Sequence, residues 1–155
     1  KIYNMITLEE FKKKQLDKSR LIGLDLGSKR IGVSICDEKQ LIATPFKTIN
    51  RTNAKELINE LKIIIEENNI KGIIIGNPLN MDGSSSRSTQ SVKDTSDNIE
   101  KNIHIPICLW DERLSTVGAF NLSSQLDINV SKREKKIDEN AAAFILQGAI
   151  DFLNN

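Results

Sequence analysis

The clearest pattern of apolar and polar positions lies between residues 21 and 36. Leu21, Ile22, Leu24 and Leu26 form one apolar run, and Ile31, Val33 and Ile35 alternate with smaller residues. Gly27-Ser28-Lys29-Arg30 between them has turn composition, so the stretch predicts two strands joined by a tight connection. A third strand is expected over residues 41–49, where Pro45 suggests an edge strand or a bulge. Asn50-Arg51-Thr52-Asn53 reads as a loop ending in a helix cap. Leu57, Leu61, Ile64 and Ile65 follow at helical spacing, predicting a helix over 54–68. Residues 70–76 are an almost uninterrupted apolar run, the pattern of a parallel strand covered on both faces. The Gly-, Ser- and Asn-rich loop 77–86 then leaves the carboxyl end of that strand, where open α/β sheets bind ligands. A mostly polar helix is expected over 89–102, a buried strand over 105–110 and a short helix over 116–125. A basic loop over 126–137 and a last helix over 138–153 follow. That helix has Ala141, Ala142, Ile145, Leu146, Ala149 and Leu153 on its inner face. Ahead of all this, residues 1–20 read as an N-terminal extension with a short helix, since Thr7-Leu8-Glu9-Glu10 has capping-box spacing. Residues 21–155 then form the main domain.

Composition narrows the class. A chain of 155 residues with 39% hydrophobic and 28% charged residues is one globular domain with room for one proper core. The net charge is only +1, so any nucleic-acid surface must be local. Cys36 and Cys108 form no CxxC or zinc pattern and read as buried free thiols of a reducing compartment. No apolar run approaches the roughly 18 residues that span a bilayer, and the polar N-terminus lacks a signal-peptide core. The expectation is a cytoplasmic protein with no membrane partner.

One residue of the first strand breaks its pattern. Asp25 lies between Leu24 and Leu26, with Gly23 and Gly27 two positions to either side. A carboxylate in a central strand is costly unless it is paired or binds a metal. Flanking glycines let a ligand or a phosphate approach the backbone. The same residues also fit a strand end that merely starts a turn. Asp111 and Glu112 follow the last strand, and Asp138 opens the last helix. Singly, Asp138 also fits a plain N-cap, and Glu112 a surface pair with Arg113 or a lysine. Together they carry more weight, because the ends of two strands and a packed helix can meet at one point of a mixed sheet. Carboxylates meeting there repel one another unless cations hold them. All-oxygen ligation suits Mg²⁺ or Mn²⁺, and two such ions roughly 3.5–4 Å apart can drive phosphodiester hydrolysis.

Four blocks carry a resemblance to a known family. They are the eleven residues from Gly23 to Val33 (GLDLGSKRIGV), the nine from Gly76 to Ser84 (GNPLNMDGS), the seven from Trp110 to Thr116 (WDERLST) and the ten from Asp138 to Gln147 (DENAAAFILQ). In this order and spacing they resemble the YqgF family, also called RuvX, of the ribonuclease H-like superfamily. The resemblance covers the chain from about residue 21 to its end. Asn77 departs from it, standing where the family more often has a larger apolar residue. The resemblance implies an α/β, ribonuclease H-like fold: a five-stranded mixed sheet, the first three strands antiparallel, with helices on both faces. It implies a metal-dependent nuclease that matures the 5′ end of pre-16S ribosomal RNA, with a Holliday junction resolvase on branched DNA as the alternative. By position it assigns Asp25, Glu112 and Asp138 as catalytic acids and metal ligands. Asp111 is a further candidate, weakened because neighbouring strand residues point to opposite faces.

Basic residues suit the phosphates of such a substrate. Lys29, Arg30 and Arg113 adjoin the acids, and Lys132, Arg133, Lys135 and Lys136 lie just upstream of Asp138. Arg113 equally fits a buttress for its neighbouring carboxylates. Two rivals remain. An actin-like ATPase shares the first block but needs two such domains around a cleft. A non-catalytic nucleic-acid-binding module would have no use for three acids. The expected assembly is a monomer or a weak homodimer.

Overall fold

The computed structural model describes residues 5–14, 19–78, 87–112 and 130–155; side chains in the last segment are described from Lys136 onward. Among these residues the sheet has five strands: β1 (Leu21–Leu26), β2 (Arg30–Cys36), β3 (Ala43–Asn50), β4 (Gly72–Asn77) and β5 (Ile107–Asp111), in the order β3-β2-β1-β4-β5. β1 pairs antiparallel with β2 and β2 with β3, whereas β4 runs parallel to both β1 and β5. The mixed sheet with an antiparallel first half is the arrangement expected. β3 is an edge strand, and its register with β2 slips between Val33 and Ser34, next to Pro45. Both features follow from a residue that cannot donate to a ladder.

Strand alternation sorts the two faces. Ile22, Leu24, Leu26, Ile31, Val33 and Ile35 pack with α2 (Ala54–Glu67) and α3 (Arg87–Asn102) through Leu57, Leu61, Val92 and Ile99. Asn53 caps α2 by accepting a 2.9 Å bond from the Glu56 N–H, the cap expected from the sequence. On the other face, Leu21, Cys36, Ile74, Cys108 and Trp110 pack with the last helix, α4 (Val130–Leu153), through Ile145, Leu146, Ala149 and Leu153. The short helix α1 (Leu8–Lys13) joins that layer through Phe11, which is fully buried. Its capping box between Thr7 and Glu10 forms as the spacing suggests. Just ahead of it, Met5 makes an isolated parallel bridge to Ile107 of β5.

The last helix departs from the sequence expectation. It begins at Val130 rather than at residue 138, so Lys132, Arg133, Lys135 and Lys136 stand on a helix and not in a loop. Asp138 therefore lies about two turns inside α4 and is not its cap. The segment VSKREKKI is dense in charge, which resembles a loop, yet Lys, Arg and Glu are good helix formers and no Gly or Pro interrupts them. The expected helix over 116–125, and most of the 77–86 loop, lie outside the described residues. Among the described residues no helix is long and apolar enough to cross a membrane.

Candidate active site

The side of the sheet that carries α4 is cut down to backbone where the helix crosses. β1 presents Leu21, Gly23 and Asp25 to this side, and β2 presents Arg30, Gly32, Ser34 and Cys36. Asp25 pairs with Gly32 across the two strands. A Cβ on Gly32 would stand 1.9 Å from the Asp138 carbonyl oxygen. The α4 main chain at Asp138 thus touches the sheet directly opposite Asp25. Further along, the Ser34 hydroxyl donates 2.7 Å to the Ala142 carbonyl and fixes the next turn of the helix.

Glu112 approaches from the other side. It lies one residue past β5, whose Trp110 ring meets Gly148 of α4. The two-residue period of the strand carries Glu112 to that same side. Its carboxyl carbon stands 3.1 Å from where a Cβ on Gly76 would be, so the acid lies over the bare end of β4. Asp111, the last residue of β5, pairs with Asn77 of β4.

The acids sense one another. Burial pushes the Asp25 carboxyl up to about 6, and the negative charge of Asp138 adds to this. Burial likewise pushes Glu112 up to about 7, with further contributions from Asp25 and then Asp111. Carboxylates on β1, past β5 and on α4 therefore converge around Asp25, at the carboxyl ends of the parallel strands. One cation is already present: Arg30 donates from Nε to Asp138 Oδ2 at 2.6 Å. Lys29 in the β1–β2 turn and Lys136 on α4 are exposed. Lys132, Arg133 and Lys135 belong to the first turns of α4, and Arg113 lies outside the described residues.

The donor chemistry fits a hard divalent cation: oxygen ligands only, with two acids held at a cost that a cation relieves. Among the described residues no three such side chains already stand close enough to share one ion. Closing a ligand set thus requires a side-chain adjustment, and the Asp138 carboxylate has the Arg30 bond to exchange.

The RuvX family model, described as a Holliday junction resolvase, matches residues 19–152. The chain belongs to the RuvX family. A relative from Pelagibacter ubique that bears the name "Putative pre-16S rRNA nuclease" is 76% identical over 151 residues, covering 97% of this chain and all of the relative. A relative of the same name from Novosphingobium aromaticivorans is 46% identical over 133 residues, covering 86% of this chain and 85% of the relative. Among solved structures, the Thermus thermophilus RuvC in complex with a Holliday junction substrate aligns with a TM-score of 0.58 at 8% identity. That alignment covers 86% of this chain and 94% of the other. The yeast mitochondrial Holliday junction resolvase aligns with a TM-score of 0.53 at 13% identity over 94% of this chain and 85% of the other. These likenesses identify the fold as ribonuclease H-like.

This RuvX family member has one site-bordering residue that sequence reasoning passed over. Arg51 follows β3 and straps the β1–β2 turn to α3. Its Nη1 donates 2.7 Å to the Gly27 carbonyl, and its Nη2 donates to Thr95 Oγ1. Its backbone N–H donates 2.9 Å to the Lys29 carbonyl. Its position in a polar loop gave no signal, because its partners are distant in sequence.

Proposed function

We propose that this protein is a divalent-metal-dependent nuclease that hydrolyses RNA phosphodiester bonds, acting on the 5′ end of pre-16S ribosomal RNA in the cytoplasm. The observation that carries this reading is the convergence of Asp25, Glu112 and Asp138 at the carboxyl ends of parallel strands. The names borne by the family relatives supply the substrate. In this reading Asp25, Glu112 and Asp138 hold Mg²⁺ or Mn²⁺, two ions when fully loaded, and Asp111 is a further donor. The metal, when bound, supplies activation of water and neutralisation of charge at the scissile phosphate. The chain supplies position. Asp25 is fixed by a central strand and Asp138 by a helix pressed onto that strand's neighbour. Lys29, exposed in the β1–β2 turn, and Arg113, next to Glu112 in sequence, are assigned to contact phosphates of the substrate.

The basic start of α4 fits the same partner. Its first turn contains no acidic residue, and Lys132, Arg133, Lys135 and Lys136 lie within its first two turns. Cations near a helix N-terminus oppose the helix dipole, by about 0.3–1 kcal/mol each near the surface, so a polyanion relieves the arrangement. Replacing all four by Gln is expected to weaken RNA binding for every sequence alike, because phosphate contacts carry little sequence information. The slope of log affinity against log salt should fall by about 0.7–0.9 for each phosphate that is no longer neutralised. Binding isotherms at several salt concentrations measure this, and an unchanged slope removes the cluster from the interface.

A second reading is favoured by the description of the family model itself, a Holliday junction resolvase. Junction resolution needs paired cuts and therefore a two-fold partner. The deciding experiment sets a pre-16S 5′ fragment and a four-way DNA junction side by side with Mg²⁺ or Mn²⁺. Single-subunit action predicts RNA trimming that rises linearly with nanomolar enzyme, and junctions cut poorly or on one strand. Symmetric paired incision that rises with the square of enzyme concentration, with the RNA intact, transfers the assignment to the resolvase.

A further inference from the structure

Arg30 reads from sequence as a phosphate contact, but its guanidinium faces inward. It opens β2 on the α4 side, two residues before Gly32, and its Nε bonds Asp138 Oδ2 at 2.6 Å. The side chains are 29% and 21% exposed, so the pair is partly shielded from water. Other contacts also hold the helix in place. The Gly32 contact brings the Asp138 backbone onto the sheet, and the Ser34 bond secures the following turn. What the guanidinium supplies is charge. It sits on an acid whose negative charge also raises the proton affinity of Asp25.

We propose that Arg30 is an internal counterion for Asp138, holding one carboxylate oxygen until a divalent cation takes it, and that the displaced guanidinium is then presented to a nucleic-acid phosphate. This rests on the reading that Asp25, Glu112 and Asp138 hold the cation. A guanidinium and a divalent cation on one carboxylate repel each other, so loading the site weakens the hold of Asp138 on Arg30 and favours its release. A guanidinium matches phosphate with two parallel bonds, so the released side chain has an alternative partner. Linkage makes the effect reciprocal: a phosphate that takes Arg30 raises cation affinity, and a cation that takes Asp138 raises phosphate affinity. Substrate and metal thereby recruit one another through a single side chain.

The test uses metal-stripped full-length protein without nucleic acid, with Mn²⁺ binding read by the electron spin resonance of free Mn²⁺. Arg30→Gln is expected to bind Mn²⁺ about three- to tenfold more tightly than wild type, the effect of removing one competing cation from a partly exposed carboxylate. Arg30→Lys keeps the charge without the planar fork and is expected to lie between the two; it also carries the test if Arg30→Gln does not fold. In an Asp138→Asn background the Arg30→Gln effect should vanish, because its target is gone. Equal or weaker Mn²⁺ binding by the Arg30 variants, with binding intact in wild type, overturns the counterion role and leaves the nuclease reading standing. No Mn²⁺ binding by wild type or any variant overturns both.

Discussion

Asp25→Asn is expected to abolish cleavage while making the metal-free protein more stable at pH 8. The loss of activity follows from removing the central acid of the converging set. Metal-assisted charge stabilisation is worth several kcal/mol, and each 1.36 kcal/mol is a factor of ten, so a loss of about two to four orders of magnitude is expected. The gain in stability follows from the proton. The Asp25 carboxyl is pushed up to about 6 in the fold against 3.8 for the free side chain. The folded state therefore holds the proton more tightly than the unfolded chain. This contribution is fully present below pH 4 and is lost as the pH rises through about 6. For Asp25 alone the loss amounts to at most about 3 kcal/mol above that range. Glu112, pushed up to about 7, acts in the same direction. Asparagine mimics the neutral acid at every pH. In EDTA at pH 8 the variant should melt roughly 5–10 °C above wild type, and the difference should close as the pH falls towards 4. Thermal melts across pH, with and without Mn²⁺, check this. A variant that is less stable than wild type in EDTA at pH 8 contradicts the buried, repelled carboxylate.

Gly32→Ala should harm both stability and cleavage, although it adds only a methyl group. The new Cβ would stand 1.9 Å from the Asp138 carbonyl oxygen and 2.4 Å from its carbonyl carbon, where ordinary contact begins at 3.4 Å. The obstructing atoms are backbone, so no side chain can swing aside. Either α4 backs away by about 1.5 Å or β2 distorts, and overpacking of this kind costs about 1–3 kcal/mol. The withdrawal takes Asp138 with it. A misplacement of about 1 Å costs roughly a hundredfold in rate where geometry carries the chemistry. Thermal melts and cleavage rates on the same preparation measure the pair of effects. Wild-type rates with an unchanged melting temperature show that the helix does not rest on Gly32.

The sheet was legible in the chain because its strands are short and their alternation is clean. Asp25 stood out because it occupies a row in which an apolar side chain was expected. Glu112 was picked out by the family resemblance, and Asp111 was ranked behind it because neighbouring strand residues point to opposite faces. The start of α4 was not legible, since VSKREKKI satisfies the composition of a loop and the propensities of a helix equally well. The Arg30–Asp138 bond joins residues 108 positions apart, and no local rule connects them. Gly32 is similar: as a glycine following Ile31 it reads as strand spacing, and its use becomes visible only when a helix lies across it.

The acids come from three distant places in the chain, and the last of them arrives on the helix that covers the site. A polypeptide still leaving the ribosome has Asp25 and Glu112 in hand before Asp138 has been made. Until α4 settles onto Gly32, the face that will bear the chemistry is an open apolar trough with an incomplete set of ligands. On the proposed function, a nascent chain that has not yet reached Asp138 lacks one of its three ligands, so the order of synthesis makes the cutting site the last part of the molecule to be completed.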